Sequence, residues 1–410
     1  MITSMSTPAT SNSIVQDLLT TPQVQAAFRL FESQAEKITE EQIEICAIAA
    51  PPFGEQRRAE YLRRKLSESG LDQTEIDEAG NCLAVYEGRQ SASVLVVSAH
   101  LDTVFPAATD LTLRRKGNRL LAPGISDDGC GLTALLALAR ALTANQIQVE
   151  TSILFVGSVG EEGEGNLRGV RHLFNAGKWA GRIAAFVSLD GAGLEQITNG
   201  ALGSRRYRVQ LRGPGGHSWG DFGVANPVHG LGRAISSLAS YPAPLDPRTS
   251  FNVGRVQGGS SINAIPGEAS MEVDLRSISE DELVRLDAFF RRMVREAVEQ
   301  ENSTRRKDTP PLELNLSLIG ERPSGETPAN SPIVSLAQEA TRALESKPVL
   351  ERASTDSNVP IALGIPAITL GAGGTSGNPH TIDEWYDPRD RHLGLKRALL
   401  VLLGLAKLLN

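Results

Sequence analysis

The chain is short of cysteine, of positive charge and of long apolar runs, and each shortage removes a class of function. Only Cys46, Cys82 and Cys130 occur among 410 residues. A sparse, odd set makes no disulfide framework, and none has the spacing of a thiolate zinc site. They read as small buried hydrophobes in a reducing compartment, so a cytoplasmic protein is expected. Cys130 lies among carboxylates, which do not depress a thiol pKa, so it is not read as a nucleophile. Lys and Arg total 41 against 48 Asp and Glu, a formal net charge of -7 that gives no reason to expect nucleic acid. Short basic runs such as Arg63-Arg64-Lys65 and Arg305-Arg306-Lys307 read as solvated faces. No apolar run approaches the ~20 residues that span a bilayer, so no membrane partner is expected. Residues 1–13 are polar and rich in Ser and Thr, without the parts of a secretory signal, and read as a disordered tail.

What is present is enough chain for two domains. Residues 14–70 read as helical, with Thr39 and Gln42 in capping-box spacing and Gly70 as a helix stop. Cys82 to Tyr86, Val94 to Ser98, Ser152 to Val156 and Ala184 to Leu189 read as strands, and Leu132 to Leu142 as a helix. This alternation predicts an α/β layer sheet. Near residue 203 the pattern changes to half-buried strands, Arg205 to Leu211 and Ser270 to Leu275, with amphipathic helices at Val228 to Leu238 and Glu280 to Val298. Leu312 to Leu318 alternates again, giving the order of a split βαβ module. From about 331 the α/β signature resumes. The expectation is a discontinuous α/β domain, 14–202 plus 321–410, with an α+β domain inserted at 203–320.

The polar residues fall where an open α/β sheet binds ligands, outside the carboxyl ends of its strands. His100 and Asp102 follow one apolar strand, Glu161 and Glu162 a second, and Asp190 ends a third. A His-x-Asp step lets imidazole bind a metal while the carboxylate takes its other N–H, although an ordinary His–Asp hydrogen bond has the same signature. Asp127-Asp128 and Glu161-Glu162 are adjacent carboxylates that repel unless a cation intervenes; a solvated acidic loop is the alternative. Of six histidines, His172, His229 and His392 sit in helical stretches and read as structural or surface residues. His217, in GPGGHSW, and His380, in GNPHTIDEW, sit in glycine-containing loops that admit close approach to a ligand.

The motifs HLDTV, SDDGCG, GEEGEG, SLDG, GPGGHS, NAIPG, DLRS and PHTIDEW occur in an order that resembles the co-catalytic di-zinc exopeptidase family. That family includes aminoacylase-1, glutamate carboxypeptidase, peptidase T and succinyl-diaminopimelate desuccinylase. The resemblance runs from about residue 40 to the C-terminus. It implies a mixed-sheet α/β/α zinc-exopeptidase-like catalytic domain with an inserted ferredoxin-like lid domain. It also implies two divalent ions per subunit, zinc or else manganese or cobalt. His100 and Asp190 would hold one ion, Glu162 and His380 the other, and Asp127 would bridge them. Asp102 would support His100, and Glu161 would be the general base. The Asp127–Asp128 peptide would be cis. In the lid, His217 would meet the oxyanion, from its own or a partner subunit. Asn263 and Arg276 would hold the substrate, and the loop containing Gly373 would line the cleft. Asp190, rather than Glu, leans toward the peptidase T-like branch, while Gly129 departs from the Lys or Met of many members. The implied function is hydrolysis of an amide bond in short peptides by a two-metal-activated water. The alternative is deacylation of N-acyl amino acids, and a non-catalytic metal-binding relative is a further one. A homodimer through the lid is also implied.

Overall fold

Proline and turn residues cut the N-terminal helical stretch into pieces. The computed structural model describes residues 10–71 and 73–409. Its helices α1 (Ser11–Thr20), α2 (Pro22–Ser33), α3 (Ala35–Cys46) and α4 (Gln56–Glu68) make up the expected helical stretch. Pro22 opens α2 at its first position and disfavours helix at Thr21, which separates it from α1. Residues 1–9 of the expected tail lie outside the described residues. Thr10, however, caps α1 by accepting Ser13 N at 3.3 Å, so residues 10–13 are not tail. Thr39 is not a cap either: it lies inside α3, and its Oγ1 donates to Ala35 O at 2.9 Å.

The chain continues through β1 (Gln73–Ile76), β2 (Cys82–Tyr86), β3 (Gln90–His100), β4 (Arg114–Lys116) and β5 (Arg119–Leu121). Then follow α5 (Gly129–Ala144), β6 (Thr151–Ser158), α6 (Arg168–Asn175), β7 (Ile183–Leu189) and β8 (Gln196–Ala201). The inserted stretch holds β9 (Gly203–Arg212), β10 (Gly216–His217), α7 (Pro227–Ala239), β11 (Thr249–Gly258), β12 (Ala264–Ile265), β13 (Glu268–Ser277), α8 (Glu280–Thr304) and β14 (Glu313–Arg322). The return comprises β15 (Gly325–Glu326), α9 (Pro332–Ala343), β16 (Val349–Ala353), α10 (Asn358–Ala362), β17 (Ala367–Leu370), β18 (Thr375–Gly377), β19 (Trp385–Asp387) and α11 (Arg391–Leu408).

Two compact units result: one runs to Ala201 and resumes at Glu326, and the other is Leu202–Gly325. The first is built on a mixed sheet in the order β1-β2-β6-β3-β7-β17-β8-β15, with β16 also on β8. β3 runs parallel to β6 and β7, and β17 parallel to β7, whereas β2 is antiparallel to β6. The central strands carry apolar runs, Val94–Val97, Ile153–Val156 and Ala184–Val187, because both faces are covered. Leu95, Val97, Ile153 and Phe155 enter a core with α1 to α5, α9 and α11. Their alternates Val94, Val96, Leu154 and Val156 pack with α6 and α10 on the other side. This is a three-layer α/β/α arrangement. Cys46, Cys82 and Cys130 are all buried and unpaired, and burial pushes the Cys46 thiol up to about 12.

The second unit has four antiparallel strands in the order β11-β13-β9-β14. Tyr207, Val209, Met271, Val273 and Leu275 face α7 and α8. On the other face Arg208 meets its cross-strand neighbour Glu272 at 2.7 Å. The unit extends past the expected residue 320 because β14 runs to Arg322. No helix among the described residues is long and apolar enough to cross a membrane.

Candidate metal centre

In the first unit the parallel strands end together, and the sequence loads those ends with ligands. His100 is the last residue of β3, Asp190 follows β7, and Glu161 and Glu162 come just after β6. β17 accompanies β7 and fixes the main chain at Asp190, whose N–H donates to Leu370 O at 3.0 Å.

His100 is buried, with Nε2 2.9 Å from Asp127 Oδ1. The other oxygen of Asp127 lies 2.9 Å from His380 Nε2. His380 Nε2 is also 3.0 Å from Glu162 Oε1, and Asp190 Oδ1 is 3.9 Å from His100 Nε2. One carboxylate thus stands between two imidazoles, each of which has a further carboxylate beside it. Ligand atoms of His100, Asp127 and Glu162 lie within 4.8 Å of one another. The structure therefore gathers all five residues expected to hold metal.

Three carboxylates and two imidazoles crowd this site, and the ion pairs of Asp127, Glu162 and Asp190 run to the imidazoles. Burial pushes the Asp190 carboxyl up to about 7; His100 opposes this, while Asp127, Glu162 and Asp356 add to it. Burial also works against ionising Asp127, yet His100 and His380 hold it below the carboxylate range. Hydrogen bonds to Asp127 and Glu162 drive His380 up to about 10. Imidazole nitrogen and carboxylate oxygen are the donors that zinc, manganese or cobalt takes, and buried carboxylates with imidazole partners suit such ions.

The remaining carboxylates hold the frame. Asp102 was expected to steady His100 through its side chain. The nearer contact is its main-chain carbonyl, 3.0 Å from His100 Nδ1, which puts the ring proton on Nδ1 and leaves Nε2 for a ligand. The Asp102 carboxylate, 3.7 Å from Nδ1, accepts instead from Glu161 N at 2.9 Å and Glu162 N at 2.7 Å. Asp128 does not share a cation with Asp127. The Asp127–Asp128 peptide is cis, and the Asp128 side chain is buried. It accepts from His100 N at 3.1 Å, Gly191 N at 3.2 Å and Gly131 N at 3.0 Å, the last as the cap of α5.

Two buried acids escaped sequence reasoning. Glu384 accepts from Gly124 N (2.9 Å), Ser126 N and Oγ (both 2.7 Å) and Asp127 N (3.0 Å). Asp356 accepts from Ser158 Oγ, at the end of β6. Neither carries a local signature: Glu384 sits in IDEW beside Asp383, which is 70% exposed, and only tertiary burial separates the two.

Of the other expected residues, Gly373 belongs to the first unit and His217, Asn263 and Arg276 to the second. Gly373 is buried, and a Cβ there would lie 2.4 Å from Arg391 O, so packing against α11 accounts for the glycine. His217 and Asn263 belong to the second unit and are neighbours, since β10 pairs with β12 and Ser218 N donates to Asn263 O at 3.0 Å. His217 Nδ1 accepts from Trp219 N at 3.1 Å, which leaves the ring proton on Nε2. Arg276 is not with them. It stands near the far end of β13, eight residues beyond Glu268, or about 26 Å along the strand, and pairs with Asp274 at 2.6 Å.

Known proteins resemble this chain over most of its length. Succinyl-diaminopimelate desuccinylase of Corynebacterium glutamicum is 26% identical over 341 residues, 80% of this chain and 86% of its own. Among solved structures, a tripeptidase from Staphylococcus aureus superposes with a TM-score of 0.75 at 21% identity, over 91% of this chain and 99% of that one. A dinuclear metal binding peptidase of Bacillus subtilis gives 0.65 at 16% identity, over 92% and 99%. These structural likenesses show the fold. The model of peptidase family M20/M25/M40 matches residues 96–403, a span that contains every acid and imidazole of the cluster. A metal-binding constellation at the strand ends of a matching fold has its explanation there: the chain belongs to peptidase family M20/M25/M40 and is a metal-dependent hydrolase of C–N amide bonds.

Proposed function

We propose that the protein cleaves the amide bond of short peptides, as a di- or tripeptidase or aminopeptidase, at a site holding two divalent cations. The observation that carries this reading is the Asp127 carboxylate set between His100 and His380, each 2.9 Å away. His100 and Asp190 would hold one ion, His380 and Glu162 the other, with Asp127 shared. When bound, such ions polarise the scissile carbonyl and acidify a water. Glu161 would take the proton from that water on its carboxylate and pass it to the leaving nitrogen. Asp102 serves by fixing the main chain at Glu161, and the proton on His100 Nδ1 keeps Nε2 turned to its ligand. His217, with its proton on Nε2, is suited to donate to a developing oxyanion, and Asn263 and Arg276 to grip the substrate. The separation of Arg276 from His217 and Asn263 along β13 favours a homodimer in which one site draws on the two ends of different lids. Zinc is the proposed ion, and the reduced, buried cysteines support a cytoplasmic setting.

The second reading, deacylation of an N-acyl amino acid, is favoured by the similarity to the desuccinylase. The reactions differ only in what flanks the amide. A rate comparison on zinc- and manganese-loaded protein decides between them, using di- and tripeptides against N-succinyl and N-acetyl amino acids. The expected outcome is kcat/KM at least about tenfold higher for a peptide, equivalent to ~1.4 kcal/mol in the barrier. Preference for the acyl substrates would hand the assignment to the deacylase reading.

A further inference from the structure

The loop that carries Asp127 has backbone bonds of its own, Ile125 N to Ala122 O and Gly129 N to Gly124 O, and is further held by side chains. Cys46 Sγ donates to Gly124 O, Gln42 Nε2 to Ile125 O and Cys130 Sγ to Ser126 O. The N–H groups of Gly124, Ser126 and Asp127 and the hydroxyl of Ser126 all converge on Glu384, which is fully buried. All four partners are donors. Only an acceptor with two oxygens satisfies them, and a carboxylate is the one side chain of this size without a donor of its own. The main chain at Glu384 ties the same two segments, since Ala122 N donates to Glu384 O at 3.2 Å. β19 then pairs Trp385 with Leu121 and Tyr386 with Leu120. His380 precedes this clamp by four residues, and Asp127 is one of the residues clamped. The clamp therefore joins the two segments whose side chains meet at Asp127 Oδ2 and His380 Nε2.

We infer that Glu384 is a positioning residue: it sets the Asp127 carboxylate between His100 and His380 and so determines how tightly the site holds its cations. The inference rests on the two-cation reading above. Removing the groups that orient metal ligands costs about 10–100-fold in metal affinity. Oε1 takes three of the donors and Oε2 the fourth. In Glu384→Gln the amide oxygen replaces Oε1 and keeps three bonds, but the amide nitrogen then opposes Gly124 N–H. Glu384→Ala loses all four.

The test is titration of the metal-stripped full chain with Co²⁺ alone, following its visible absorption. Wild type should take up two ions. The Ala variant should bind them about 100-fold more weakly with an altered spectrum, and the Gln variant about tenfold more weakly, a partial rescue. At saturating Co²⁺ the substrate KM should stay at the wild-type value. If the Ala variant does not fold, judged by circular dichroism, the Gln variant decides alone. Wild-type affinity and spectrum in the folded variants, whatever their melting temperatures, would overturn the inference and leave Glu384 a support of the fold. Failure of wild type to bind two ions would instead sink the two-cation reading itself.

Discussion

Asp102 illustrates how much one side chain can decide. By accepting the main-chain N–H of both Glu161 and Glu162, it fixes the backbone at two adjacent glutamates for which separate roles are proposed. Burial raises the energy of ionised Asp102, but His100 and these two N–H groups outweigh it and keep the carboxyl below its usual range. Because Glu161 is placed through its backbone, its side chain can be altered while the frame stays. Glu161→Gln should retain two metal ions by elemental analysis and lose about 10²–10⁴-fold in kcat, the range of a general base. Retention of most of the rate would remove Glu161 from that role. The sequence made the metal set legible because each ligand abuts a strand end or a glycine loop. It left Glu384 and Asp356 unmarked, since an acid that binds main-chain donors looks, in sequence, like an acid in water.

At the level of elements, α11 presses its first turn against the Gly371–Gly374 loop. A Cβ on Gly394 would lie 2.2 Å from Gly373 N and 2.4 Å from Ala372 C. Neither contact is a flexible side-chain end, so the backbone itself must move. Gly394→Ala should lower stability by about 1–3 kcal/mol, read as a lower urea midpoint at unchanged m-value. A wild-type midpoint would mean that the loop yields freely. The resemblance implies that the Gly371–Gly374 loop lines the cleft, and Gly373 within it also meets the first turn of α11. Local composition cannot tell whether a glycine admits a ligand or a neighbouring helix, because both demand the same missing Cβ. The capping-box reading of Thr39 and Gln42 failed for a related reason: the spacing is right, but helix α3 begins four residues earlier, and Gln42 is spent on the Asp127 loop.

Across the whole molecule, two units with separate apolar cores should not unfold as one. Calorimetry of the metal-stripped protein should resolve two transitions. The proposed metal ligands all belong to the first unit, so adding Zn²⁺ at about 100 times its Kd should stabilise that transition by ~2.7 kcal/mol for each ion bound and leave the other in place. Chelation should reverse the shift. Equal movement of both transitions would show that the cations are not confined to the first unit.

Periodicity sufficed for an α/β layer sheet, because strands covered on both faces carry near-continuous apolar runs, and strand ends in such a sheet are where ligands gather; the three-layer arrangement came from the resemblance. Motif order sufficed to name the acids and imidazoles that the fold gathers at the strand ends. Two things were settled only by folding: which carboxylates face the imidazoles and which face backbone N–H, and which glycines touch backbone. Both depend on what stands within about 3 Å of a group, and here the neighbour is up to 260 residues away along the chain.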